Sequence, residues 1–328
     1  MNAAESSFPV LPDSLIVLER GWLSSNCILG LDGDSATLID SGYVSHAPQT
    51  LHLVGYLLRH GGRARTLRRL INTHVHSDHM GGNAALQAAH GCAITIPAGC
   101  APAIGAWDEA ALILGPAGQT APRFTPDATM RAGDSFEMGQ LGWEAIAVPG
   151  HDLHMLAFYN EEKRLLISGD ALWRNGFGIL FPALDVGPDE ASDAAHDEAH
   201  DIFATTRETL ARLGRLSVNA VIPGHGAPFA EFDQALRDAE SRLAVMAARA
   251  DRLALHALKA LLVFRLLDLR RLERARLADF LAALPMFGEV NRRFLGDLPA
   301  DTLADRLAND LLKSGALHER DGELLPRD

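Results

Sequence analysis

Cysteine is scarce in this chain: 3 among 328 residues, with Cys27, Cys92 and Cys100 in no paired zinc-finger spacing. An odd, scattered set argues against a disulfide framework and reads as free or buried thiols in a reducing compartment, so the cytoplasm is the expected location. Residues 1–7 lack the basic stretch and apolar core of a secretion signal, and no apolar run is long enough to span a bilayer. A membrane partner is therefore not expected. Cationic side chains are also in deficit, 30 Lys and Arg against 42 Asp and Glu, for a net charge of −12. Residues 1–241 carry −14 and residues 242–328 carry +2. Such an acidic segment repels a phosphate backbone, which disfavours nucleic acid as a partner. No Gly-rich loop with a phosphate-cradling Lys is present.

Histidine, by contrast, is clustered. The run Leu70-Ile71-Asn72-Thr73-His74-Val75-His76-Ser77-Asp78-His79-Met80-Gly81-Gly82 packs three imidazoles and a carboxylate into six residues after a β-like apolar segment. Such donors suit zinc, and also iron or manganese. The plainer alternative, a polar loop whose Asp78 caps the next helix, needs no histidine at all. In an extended segment His74, His76 and Asp78 share one side, and His79 is expected to open a helix running roughly to His90. Four ligands on so short a path strain a single small ion. Two neighbouring ions, one held by His74 and His76 and the other by Asp78 and His79, relieve that strain.

A dinuclear site needs more ligands, and three later segments offer them. Each is a β-like run, a tight Gly turn and a donor: Val148-Pro149-Gly150 before His151, Ile167-Ser168-Gly169 before Asp170, and Ile222-Pro223-Gly224 before His225. Loops at strand ends are where chemistry usually sits. One Pro-Gly-His turn alone is ordinary; the ordered set is not.

With these residues in view, the chain resembles the metallo-β-lactamase-fold hydrolases over roughly residues 10–235. Leu38-Ile39-Asp40-Ser41-Gly42 looks like the family's early Ile-Asp-Thr-Gly turn. The resemblance implies a four-layer αββα sandwich of the α/β (α+β) class. It further implies that His74, His76 and His151 hold one metal, that Asp78, His79 and His225 hold a second, and that Asp170 bridges both. Asp40 would steady the ligand loop from behind. A bridging aspartate belongs to glyoxalase II-like, lactonase-like and ribonuclease-like members rather than to β-lactam-cleaving ones. The implied cofactors are two divalent ions, zinc foremost, with iron or manganese as alternatives. His151-Asp152-Leu153-His154 departs from the family's His-Thr-Pro-Gly-His, so His154 is weighed equally as a helper behind the ligands and as a surface residue.

The rest of the chain organises around this motif. Residues 1–240 are expected to form the catalytic domain and residues 241–328 a helical, winged-helix-like module ending in an Asp-Gly hairpin. A role for that module in shaping the pocket or in a homodimer contact is favoured over DNA binding. Residues 97–125, with Trp107, read as a long lid or binding loop, a helical stretch is expected near 188–213, and Pro285 is expected to make a turn. Trp173, Phe177 and Phe181 are candidates for a substrate pocket and equally for core. His196 and His200 share a helix face at a zinc-capable spacing, although an acidic solvated face explains them better.

The expected chemistry is hydrolysis of a small-molecule thioester, lactone or related ester by a metal-bridging hydroxide that Asp78 orients. The rivals are a phosphodiester or RNA hydrolase, a mononuclear iron persulfide dioxygenase-like enzyme, and a non-enzymatic winged-helix ligand sensor.

Overall fold

A computed structural model describes residues 9–180 and 202–327. Phe181, His196, His200 and the first part of the helix expected near 188–213 lie outside the described residues. In chain order the elements are β1 (Leu15–Leu18), β2 (Cys27–Asp32), β3 (Ser35–Ile39), α1 (Ala47–Leu57), β4 (Thr66–Ile71), α2 (Ser77–Met80), α3 (Asn83–His90), β5 (Ala93–Pro97), α4 (Ala101–Ala106) and β6 (Ala128–Met130). They continue with β7 (Ser135–Met138), β8 (Leu141–Ala147), β9 (Leu156–Asn160), β10 (Leu165–Gly169), α5 (Ile202–Leu213), β11 (Ala220–Pro223) and α6 (Phe232–Ala247). The C-terminal part comprises α7 (Ala250–Leu269), β12 (Leu272–Glu273), α8 (Leu277–Ala282), α9 (Pro285–Phe294), α10 (Ala300–Ser314), β13 (Leu317–Arg320) and β14 (Glu323–Pro326). None of the described helices is long and apolar enough to cross a membrane.

Strands β1 to β6 lie side by side in sequence order, antiparallel through β3 and parallel from β3 onward. The second sheet runs β11-β10-β9-β8-β7, and only β10 and β11 are parallel. Their facing sides make one core: Ile28, Ile39 and Ile71 from the first sheet meet Trp143, Phe158 and Ile167 from the second. The outer face of the first sheet packs Leu29, Leu38 and Leu70 against Val54 of α1 and Leu86 of α3. The outer face of the second packs Leu166 and Val221 against Leu210 of α5 and Ala239 of α6. Strands buried on both faces read as near-continuous apolar runs, which is why Leu165-Leu166-Ile167 shows no alternation. The result is the αββα sandwich.

Three expectations change. The helix expected from His79 to His90 is broken at Gly81-Gly82, because the loop after β3 presses on it. A Cβ on Gly81 would lie 2.4 Å from the Val44 nitrogen, and one on Gly82 2.5 Å from the Ser41 oxygen. Residues 97–125 are not a bare loop; they hold α4 and two short 3₁₀ turns. Pro285 opens α9 as a first-turn proline rather than making a simple turn.

In the C-terminal part, helices α7 to α10 close over a separate core that includes Leu258, Leu262, Phe287 and Leu307. Strands pair in the order β12-β14-β13. Asp321 and Gly322 both have positive φ, 53° and 77°, which forms the expected two-residue turn of the β13–β14 hairpin. The boundary expected at residue 240 falls inside α6. Leu243 and Leu253 still pack with the sandwich, and the second core takes residues from Ala254 onward together with Ala117.

Phe158 is fully buried between the sheets, 5.1 Å from the Phe136 ring centroid and edge-on to it. Phe158→Ala is expected to lower the unfolding free energy by about 3–5 kcal/mol through the cavity it leaves. Urea denaturation measures this, and a loss below about 1 kcal/mol would mean that the inter-sheet core is not the main support of the fold.

Candidate metal centre

The parallel strands deliver the candidate donors to one edge. Ile39 of β3 pairs with Ile71 of β4, and Gly169 of β10 with Pro223 of β11, so Asp40, His74, Asp170 and His225 leave the sheets side by side. His151 follows β8 on the same rim. Two cross-links fix this edge. The Leu156 amide donates to the Thr73 carbonyl, and Asn26 donates from its backbone nitrogen to the Gly224 carbonyl and from Nδ2 to those of Pro223 and Gly226. The Ser25 amide donates to the Asp78 carbonyl. A Cβ on Gly224 would lie 2.1 Å from Asp170 Oδ1, so only glycine lets that carboxylate sit there.

Seven side chains converge in two groups, in each of which the potential ligand atoms lie within 4.8 Å of one another. His74, His76 and His151 form the first: His76 Nδ1 stands 3.1 Å from His74 Nε2 and 2.8 Å from His151 Nε2. Asp78, His79, Asp170 and His225 form the second, with Asp78 Oδ2 3.0 Å from His225 Nε2 and 3.7 Å from His79 Nε2. Asp170 reaches both. Its Oδ1 is 3.5 Å from His79 Nε2 and its Oδ2 is 3.5 Å from His151 Nε2.

The surroundings aim these rings. Asp40, buried at the end of β3, accepts from the Thr73 amide at 2.9 Å and from Thr73 Oγ1 at 2.8 Å, and stands 2.8 Å from His79 Nδ1. His79 Nε2 is thereby turned inward, where it is buried without a hydrogen-bond partner. His151 Nδ1 faces the Ile179 carbonyl at 2.7 Å, which leaves its Nε2 for the centre. Inward-facing nitrogens beside carboxylate oxygens, with buried ring nitrogens of His76, His79 and His225 unsatisfied, fit divalent cations.

Electrostatics separate the histidines. Burial, reinforced by neighbouring imidazoles, pushes His74 well below its ordinary value and lowers His76 and His151 to about 4. These rings are neutral at pH 7, the form that binds metal. Burial also works against a charged His79, but Asp40, Asp170 and Asp78 outweigh it and raise His79 well above its ordinary value. For Asp78 and Asp170 burial is again overcome, here by His79 and His225, and both carboxylates are held low.

Sequence reasoning missed several neighbours. Asp152 Oδ2 lies 3.9 Å from His76 Nε2. Trp22, 54% exposed, stacks on His225 at 5.6 Å and meets Trp173 edge-on at 5.5 Å. Phe264 of α7 reaches His225 edge-on at 6.4 Å. A narrow cavity of about 40 Å³ opens above the donors, walled by Ile113, Trp173, Ile179, Leu261 and Phe264, with Gln119 as a polar contact. The C-terminal helix α7 thus forms part of the wall. A larger pocket of about 550 Å³ adjoins it at His76, His151 and Ile113.

Of the expected pocket residues, Trp173 lines the cavity and donates from Nε1 to Asp170 Oδ1 at 3.2 Å. The other two do not. Trp107 is buried on the outer face of the first sheet against Phe124, and Phe177 is buried among the outer-face core of the second with Arg242 above its ring. His154 is exposed in the larger pocket, against Gly99, and touches none of the seven donors.

Residues 20–225 match the family model of the Metallo-beta-lactamase superfamily. The chain belongs to that superfamily. Among curated relatives, the hydroxyacylglutathione hydrolase of Ectopseudomonas mendocina is 28% identical over 209 residues, covering 63% of this chain and 66% of the relative. That of Rhodospirillum rubrum is 34% identical over 116 residues, covering 35% and 38%. Against the enzymes of the same name from Hyphomonas neptunium and Methylococcus capsulatus, the chain spans about half of the relative's length. Among solved structures, a metallo-beta-lactamase family protein of Thermus thermophilus superposes with a TM-score of 0.53 at 19% identity, covering 95% of this chain and 98% of its own. A metallo-beta-lactamase of Cronobacter sakazakii gives 0.54 at 18% identity, covering 72% and 95%. These likenesses show the superfamily fold, and in this superfamily chain a His/Asp site for divalent metal ions accompanies it.

The neutral His76 and His151 make the metal-free protein acid-sensitive. Between about pH 6.5 and 4 the unfolded chain takes up protons at these positions that the folded chain refuses, so stability falls as pH drops through that window. His79 is protonated in both states in most of this range and adds little slope, while the depressed Asp78 and Asp170 extend the loss below about pH 4. Urea midpoints of metal-free protein should therefore decrease from pH 7 to 5; an unchanged or rising midpoint contradicts the assigned charge states.

Proposed function

We propose that this chain is a dinuclear metal-dependent hydrolase of a small-molecule thioester or related carboxylic ester. In this reading His74, His76 and His151 would hold one ion, Asp78, His79 and His225 the other, and Asp170 would be shared between them. The observation that carries it is the position of Asp170, whose two oxygens each stand 3.5 Å from a nitrogen of a different donor group. Nitrogen and oxygen donors without thiolate favour zinc, and iron or manganese would accept the same set. The names of the curated relatives, hydroxyacylglutathione hydrolases, support a thioester as the bond attacked.

When bound, the ions supply Lewis acidity toward water and toward the substrate carbonyl. The chain's own residues supply the rest. Asp40 fixes His79 with Nε2 inward, and the Ile179 carbonyl does the same for His151, so the donor set is preorganised. Asp78, kept ionised by His79 and His225, accepts a hydrogen bond from the attacking water and orients it. Trp173, Leu261 and Phe264 exclude bulk water from the carbonyl. Water adds to the acyl carbon, the bond to sulfur or oxygen breaks, and an acid and a thiol or alcohol leave.

The C-terminal elements read as winged-helix-like on the order of their helices, hairpin and third strand, with a role in walling the pocket through α7. The buried, unpaired Cys27, Cys92 and Cys100 agree with a reducing compartment.

Metal-loaded protein should contain about two ions per chain by elemental analysis and should hydrolyse simple thioesters. Removal of the ions with a chelator should abolish turnover, and added zinc should restore it. Asp170→Asn and Asp78→Asn should each lower kcat by at least about 100-fold, while the far ultraviolet circular dichroism stays native. Full activity in either variant would sink this reading, as would a single iron per chain.

A further inference from the structure

We propose that the substrate of this site is a thioester or ester with an apolar acyl group and an uncharged or cationic leaving group, so that glutathione-type thioesters are poor substrates. This rests on the hydrolase reading above and deepens it.

The cavity directly over the donors is walled by aliphatic and aromatic side chains, Ile113, Trp173, Ile179, Leu261 and Phe264, with Gln119 the polar exception. Trp22 extends this wall outward, partly exposed and stacked on the outer face of His225. An apolar group gains there by leaving water, at about 25 cal/mol per Å² buried. A charged acyl substituent finds only the Gln119 amide as a hydrogen-bond partner among those wall side chains, and no opposite charge to offset its desolvation.

The leaving group lies on the only broad continuation of the cavity among the described residues, the pocket of about 550 Å³ that shares His76, His151 and Ile113 with it. Its lining contains the carboxylates Asp108 and Asp152 together with His154 and mostly apolar residues, and among the described residues no Lys or Arg lines either space. The arginines of neighbouring segments have contacts of their own, although the buried Arg265 Nε keeps no hydrogen-bond partner. Arg265, next to Phe264 on α7, pairs with Asp268 at 3.0 Å and lies over the Phe280 ring. Arg242 hydrogen-bonds the Asn175 carbonyl, and Arg123 lies over Trp107. A leaving group with carboxylates or phosphates would thus enter a field of its own sign without a donor fork to receive it. Glutathione carries two carboxylates and one ammonium at neutral pH.

The test holds the acyl group constant and varies the charge of the thiol. Zinc-loaded protein is assayed with the butyryl thioesters of N-acetylcysteamine (neutral), thiocholine (cationic) and glutathione (anionic). The neutral and cationic esters should exceed the glutathione ester in kcat/KM by about tenfold or more. Ala110→Lys, a substitution at an exposed position lining the larger pocket, should narrow that gap severalfold by raising the glutathione ester and lowering the thiocholine ester. In parallel, calorimetric titration compares S-butyl-N-acetylcysteamine with S-butylglutathione, thioethers that cannot be hydrolysed. Weaker binding of the glutathione thioether supports the proposal, and equal or tighter binding overturns it whether or not any ester is turned over. Absence of turnover with all three esters would instead overturn the hydrolase reading. A glutathione ester processed as fast as the neutral one overturns the charge preference alone.

Discussion

The buried carboxylate of Asp40 is the interaction on which the rest of the site depends. It sits at the end of β3 with φ +56°, a conformation that a non-glycine residue adopts at a cost, and the structure repays that strain with three short hydrogen-bonding contacts. Two of them grip Thr73, the residue before the first donor, and the third holds His79. One side chain therefore sets both the path of the backbone through the His-rich run and the direction of a ring five residues further on. Without it the motif would be a polar segment with many rotamers, and the entropy of ordering it would oppose each metal contact.

A second constraint is close backbone approach. The two sheets meet their loops at a rim where Gly81, Gly82 and Gly224 each stand so near another segment that a Cβ would collide. The glycines let Ser41 accept the chain after α2 and let Asp170 lie beside the β11 turn. Asn26 then locks that turn to the first sheet through three hydrogen bonds. The donor geometry is thus held from behind by packing and from the side by polar contacts, and His74, His76 and His151 are left in the neutral state that cations require.

Much of this was legible in the sequence because the relevant signals are local. Apolar runs ending in Gly turns marked the strand ends before Asp170 and His225, and the spacing of His74, His76, Asp78 and His79 marked the metal motif. What was not legible depends on contacts between distant segments. Asn26 meets Gly226 across 200 positions, and Trp22 reaches His225 across a similar span. Nothing near Trp22 in the sequence separates it from any exposed aromatic. Trp107 and Phe177 fail for the converse reason: aromatic side chains near a motif look the same whether they face a pocket or fill a core, and only the layer they occupy decides. The break at Gly81-Gly82 was hidden too, since the pressure on it comes from the loop after β3.

Helix α7 serves two structures at once: Leu258, Leu261 and Leu262 belong to the C-terminal core, while Leu261 and Phe264 also line the cavity over the donors. Part of the surface that faces the reactive centre, Leu261 and Phe264, is thereby written in a different stretch of the chain from the donors. Substitutions in the tail can retune selectivity while the seven donors and their supports stay untouched. The same arrangement makes the tail's own folding a condition for a closed pocket, so a lineage carrying this sandwich could acquire new substrates by exchanging its last ninety or so residues.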